Sequence, residues 1–203
     1  MARYPIPAAR VRFQETISRS RFITTVAATA TPEAARDFVA EMRAEFPDAT
    51  HHCFAYVAGP PGSTAQIGMS DDGEPGGTAG RPMLAVLLGS GIGDIAAVVT
   101  RFFGGTKLGT GGLVRAYSGG VKAALTQLPL QEKVAVRALM LSGAYHWISA
   151  LDRLLPSYEA QVDERTFDAD VTWHISVPEE CCDALVQALS ELSHGEIRVT
   201  SMS

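Results

Sequence analysis

Ile95-Ala96-Ala97-Val98-Val99-Thr100-Arg101-Phe102-Phe103 runs directly into Gly104-Gly105-Thr106-Lys107-Leu108-Gly109-Thr110-Gly111-Gly112, and then into Leu113-Val114-Arg115-Ala116-Tyr117. The first segment is apolar at successive rather than alternate positions, which predicts a strand over 95–103 in a sheet covered on both faces. The last opens a helical period, Leu113, Tyr117, Val121 and Leu125, which predicts a helix over 111–128 with those residues inward. Strand, glycine turn and helix in that order aim free backbone N–H groups at a point where an anion could sit. This stretch therefore sets an α/β character for the first part of the chain.

Upstream, the sequence alternates around Val11 and Phe13, and the β-branched run Phe22–Val26 reads as a strand. Thr31-Pro32-Glu33 opens a helix with a capping hydroxyl, proline at the first helical position and an acid in the first turn. Ala35, Phe38, Val39, Met42 and Phe46 follow at helical spacing until Pro47, and His52–Ala58 reads as a further strand. From Gly59 to Ala79 only a short Gln66–Met69 piece has an apolar pattern, and a loop this long in a compact domain is more often functional than incidental. A helix is expected over 81–88.

Downstream, the pattern resets after Pro129. Strand 136–142, helix 144–155, a hairpin of 158–166 and 170–177, a helix opened by Pro178-Glu179-Glu180 and a closing strand 197–202 give the order βαββαβ. That is the split-βαβ, ferredoxin-like arrangement. The expected class is α+β with two domains, residues 1–130 and 136–203.

Composition agrees with a globular chain. The 203 residues are 46% apolar and 19% charged, and 17 of the 19 glycines lie between Gly59 and Gly120, which excludes collagen-like, repetitive and disordered chains. No apolar run approaches the roughly 18–20 residues of a membrane span. The start, Met1-Ala-Arg-Tyr-Pro, has no leader-like apolar segment, and the cysteines form no CxxC pair, so a reducing cytoplasm is expected, with no membrane partner. Residues 1–136 carry a net +2 and residues 137–203 a net −7, while no acid falls between Asp94 and Glu132. The overall acidity argues against a protein coated in nucleic acid but leaves room for a local basic face.

Two stretches carry candidate chemistry. In Ser70-Asp71-Asp72-Gly73-Glu74-Pro75-Gly76-Gly77-Thr78-Ala79-Gly80, the three acids Asp71, Asp72 and Glu74, with Thr78, form a possible polar ligand loop. The spacing departs from an EF-hand, since Gly73 sits where the next ligand is needed, so no metal is expected. The plainer alternative is a solvated turn in which Asp72 or Thr78 caps the next helix. The second stretch is the glycine turn. It fits neither Walker A, because Thr110 and Gly111 follow Gly109, nor GxGxxG, which fails at Val114. Even so, Gly109, Thr110, Gly111 and Gly112 offer backbone donors, and Lys107, Arg115, Lys122 and, if exposed, Arg101 offer cations. Arg115 and Lys122 lie seven residues apart on one helix face. The alternative is a tight turn with an ordinary solvated helix face.

Elsewhere the signals are weaker. His51 and Cys53 share one strand face and His52 takes the other, so the trio does not form a zinc site, and packing is the default. His146, Trp147, Trp173 and His174 fall where core or rim placement is expected. No Gly-x-Ser-x-Gly elbow supports hydrolase chemistry.

The acidic stretch, together with Arg101-Phe102-Phe103-Gly104-Gly105 and Leu108-Gly109-Thr110-Gly111-Gly112-Leu113-Val114-Arg115-Ala116-Tyr117, resembles the paired signatures of the YigZ/IMPACT family. Pro47-Asp48-Ala49 leading into His51-His52-Cys53 is similar to the segment preceding them in bacterial members. The resemblance spans essentially the whole chain. It implies an N-terminal domain of the ribosomal protein S5 domain 2-like type and a C-terminal ferredoxin-like domain similar to domains of elongation factors. It also implies a role in nucleic-acid binding or translation. Eukaryotic relatives carry an upstream RWD domain whose partner is not transferred here, and Phe102 stands where the family often has tyrosine.

Three functions follow as expectations. The leading one is a cytoplasmic, translation-associated regulator that is not an enzyme, uses no cofactor and binds RNA or the ribosome through the basic, glycine-rich face. The second is an enzyme or metabolite-binding protein holding a phosphorylated ligand between the acidic loop and the glycine turn. The third is an adaptor whose acidic C-terminal domain docks a protein. A further possibility is internal: Asp71, Asp72 and Glu74 pair with the basic helix of their own domain.

Overall fold

The structure, a computed structural model, describes residues 3–202, so Met1 and Ala2 at the start of the sequence lie outside it. It divides into two compact units, Arg3–Lys133 and Val134 onward.

In the first unit, β2 (Val11–Ile17), β3 (Ser20–Ala28), β6 (Ile95–Phe102), β4 (His51–Val57) and β5 (Ile67–Ser70) form one antiparallel sheet in the order β2-β3-β6-β4-β5. Strand β6 lies at its centre, and Ile95 through Arg101 are all buried, because layers cover both faces as the continuous apolar run predicts. On one face α1 (Pro32–Glu45) packs Ala35, Phe38, Val39 and Met42 against Ala27, Ala96 and Val98. Its start is fixed by Thr31, whose Oγ1 accepts from the Ala34 N–H, with Pro32 in the first turn. On the other face α2 (Gly80–Leu88) and α3 (Gly109–Leu125) bury Met83, Leu87, Leu113, Tyr117 and Val121 against Phe22, Val26, Cys53 and Val99.

Two short strands escaped the sequence pattern: β1 (Arg3–Pro7) pairs with β7 (Leu130–Val134) in a separate ribbon. Asp94 anchors it, accepting from the Tyr4 hydroxyl at 3.2 Å, the Gly59 N–H at 2.8 Å and Lys133 Nζ at 2.5 Å.

In the second unit, β8 (Val136–Gly143), α4 (Ile148–Leu154), β9 (Gln161–Phe167), β10 (Val171–Pro178), α5 (Cys182–Ser193) and β11 (Arg198–Ser201) follow in the expected βαββαβ order. The sheet is antiparallel throughout, ordered β11-β8-β10-β9. The alternating β10 residues Val171, Trp173, Ile175 and Val177 face the helices, which contribute Leu151, Leu185 and Leu189. Trp173 is fully buried and Trp147 packs at the edge of the same core. Among the described residues no helix is long and apolar enough to cross a membrane.

Candidate functional site

The acidic loop turns inward. Asp71 Oδ1 accepts from the N–H groups of Ala79 and Gly80, at 3.0 and 2.8 Å, and Oδ2 from that of Gly77 at 2.7 Å. Asp71 thus caps α2 from eight or nine residues upstream, instead of Asp72 or Thr78, whose hydroxyl donates to the Pro75 carbonyl. Burial raises the Asp71 pKa, but the three backbone donors outweigh it and hold the carboxyl below its ordinary value. Asp72 accepts from Arg43 Nη2 and from the His52 N–H, both at 2.6 Å.

Glu74 is the centre of a buried cluster. Its side chain is 3% exposed, and Oε1 accepts from both Arg101 Nη1 and the Tyr117 hydroxyl at 2.6 Å. Arg101 is buried as well; Nη2 donates to Ser20 Oγ at 3.2 Å, and the guanidinium lies over the rings of Phe22 and Phe103. Arg101 is therefore withdrawn from any phosphate: its position on the central strand puts it in the core. Burial first, then the neighbouring Cys53 and Glu74, push the Tyr117 pKa up, so the phenol stays protonated and serves as a donor. Burial likewise pushes the Cys53 thiol up to about 12, which leaves it an inert core thiol. His51 Nδ1 lies 2.8 Å from the Asp72 carbonyl oxygen, and Nε2 lies 3.9 Å from Glu74. The three acids do pair within their own domain, but only Glu74 reaches α3, and there it meets Tyr117 and not a cation. No cluster of potential metal ligands forms among the described residues.

The glycine turn faces outward. Gly109, at φ +71°, opens α3, and no side chain caps the helix. Gly109, Thr110 and Gly111 are exposed, as are Lys107 and Arg115, which line a groove of about 430 Å³ between β2 and α3 with Phe13, Glu15, Ile17 and Gly112. Lys122 is not brought to this groove; it lines a second one, between α2 and α3, with Pro82, Ala85 and Val86. The seven-residue spacing gives Arg115 and Lys122 one helix face but different neighbours.

A further cation was not singled out by spacing. Ser18 and Arg19 form the two-residue turn joining β2 to β3, at φ +46° and +67°, a type of turn usually built from Asn-Gly. A Cβ placed on Gly104 would come within 2.0 Å of the Arg19 carbonyl oxygen, so the hairpin tip lies directly against the glycine turn. Arg19 is exposed. Two residues between alternating strands were the available signal, hidden because neither is glycine or asparagine.

Residues 18–125, more than half of the chain, match the Impact N-terminal domain, and residues 143–196 match a domain of unknown function (DUF1949). The chain belongs to the IMPACT family. It is 45% identical over 202 residues to the IMPACT family member YigZ of Escherichia coli (strain K12), covering 100% of this chain and 99% of that one. A Haemophilus influenzae IMPACT family member is 43% identical, with 97% and 96% covered, and Bacillus subtilis YvyE is 36% identical, with 89% and 82% covered. A crystal structure of a protein described only as hypothetical superposes with a TM-score of 0.74 at 45% identity, over 100% of this chain and 98% of that one.

Proposed function

We propose that this protein is a cytoplasmic, translation-associated regulator that binds RNA, free or in the ribosome, through the mouth of the β2–α3 groove. One observation carries the reading: Lys107 and Arg115 stand exposed beside the uncapped start of a 17-residue helix, with no ion-pair partner among the described residues. Backbone N–H groups of the glycine turn and the positive end of α3 add to the same field. The strained hairpin that sets Arg19 against the turn supports a third phosphate contact, since strain of this kind tends to collect at functional sites. The family supports an S5 domain 2-like first unit, and the βαββαβ order with strands β11-β8-β10-β9 supports a ferredoxin-like second unit. The engagement of Asp71, Asp72 and Glu74 inside the domain favours this reading over a phosphorylated ligand held by the acidic loop.

The test is binding of a single-stranded RNA oligonucleotide across a salt series. Three phosphate contacts predict a log–log salt slope of about −2, falling by about 1.4 in Lys107→Glu/Arg115→Glu. Unchanged affinity and slope in that double variant, with an intact melting transition, would reject the surface.

A further inference from the structure

The groove offered to phosphate also holds a carboxylate. Glu15 projects into it from the edge strand β2, half-buried between Phe13 and Ile17. Among the described residues nothing hydrogen-bonds or pairs with its carboxylate, although Lys107 and Arg115 line the same groove. It lies against α3: a Cβ on Gly120 would come within 3.7 Å of Glu15 Oε1 and 2.5 Å of Thr24 Oγ1, a buried hydroxyl with no hydrogen-bond partner among the described residues either.

A lone carboxylate weakens a site built only for phosphate, so its presence selects a ligand with two unlike ends. One end must be anionic, and the other must offer hydrogen-bond donors to two carboxylate oxygens. Among the RNA bases only guanine presents two adjacent donors, N1–H and N2–H₂. Adenine and cytosine place a ring acceptor beside their amino group, and uracil flanks its N–H with two carbonyls. Phe13, Ile17 and Leu108 supply apolar wall for a base, while Gly112 and Gly119 leave room for close approach. A volume of about 430 Å³ is ample for one nucleotide.

We propose that the β2–α3 groove binds an unpaired guanine nucleotide within RNA, with Glu15 accepting from its N1–H and N2–H₂ edge and Lys107 and Arg115 on the adjoining phosphates. This rests on the phosphate reading above. The test is fluorescence anisotropy of the full chain with uridine octamers carrying guanine, inosine, adenine or uracil at one central position. The guanine oligonucleotide is expected to bind roughly tenfold tighter than the uracil or adenine ones, as one bidentate pair allows. Inosine, which lacks the N2 amine, falls between. In Glu15→Gln the guanine preference disappears, while affinity for the all-uracil octamer holds or rises because a negative charge has gone. Equal affinity of the wild type for guanine and uracil octamers overturns the guanine inference and leaves the phosphate reading standing. No binding of any octamer at low salt overturns both. A Glu15→Gln variant that weakens all octamers alike makes Glu15 a structural residue and overturns its assigned role.

Discussion

Replacing Glu74 by alanine should cost the first unit a large part of its stability. The Glu74 and Arg101 side chains are 3% and 5% exposed and meet at 2.6 Å, so little solvent is available to screen a charge left alone. Removing one partner of such a pair costs about 3–5 kcal/mol. The upper part of that range applies here, because Tyr117 loses its acceptor at the same time and, among the described residues, Ser20 Oγ is the one other hydrogen-bond partner of the guanidinium. For a unit of this size the loss corresponds to a fall of roughly 10–20 °C in melting temperature. Glu74→Gln keeps an acceptor oxygen for both donors but removes the compensating charge, and should lie between alanine and wild type. Pairing Glu74→Leu with Arg101→Met removes both charges and should recover much of the loss. Calorimetry of the full chain, following the transition of the first unit, reads these proteins together with the single variants Glu74→Leu and Arg101→Met. A shift below about 3 °C in Glu74→Ala, or a double variant as unstable as the two single losses summed, would refute the coupled buried pair.

Two other perturbations have definite signs. Arg19→Gly relieves a residue held at φ +67° and should raise stability by about 1 kcal/mol while lowering RNA affinity and salt slope; a fall in both melting temperature and affinity would contradict the division between strain and binding. Asp71 has its pKa depressed in the folded state, so its contribution is fully present above the unfolded value near 4 and is lost as pH falls through the lower folded value. Asp71→Asn should therefore flatten the acid limb of a stability–pH profile relative to wild type, and an unchanged limb would remove Asp71 from the account.

The second unit was legible because its signals are local. Alternation along Val171–Val177 and helix openings at proline depend on neighbours within one turn, and βαββαβ order leaves few topologies open. The Thr31 cap is legible for the same reason. The fate of the acidic loop was hidden, because Asp71 bonds backbone eight and nine residues ahead and Glu74 finds partners 27 and 43 residues away. Arg101 carried a hint: a cation inside a run apolar on both faces has nowhere to go but the core. Lys107 and Arg115 were readable as a basic helix start. That Lys122 parts from them, that Glu15 joins them and that the Arg19 backbone abuts the glycine turn depends on which element flanks each end of α3.

The ribbon of β1 and β7 has a topological consequence. It hydrogen-bonds the beginning of the first unit to its end, and Asp94 fastens the pair to the sheet's connecting loops. The chain thus enters and leaves that unit at one spot, as on a bead strung through a single eyelet. Tension on the chain from either side would load this ribbon before it reached β2, α3 or the groove between them.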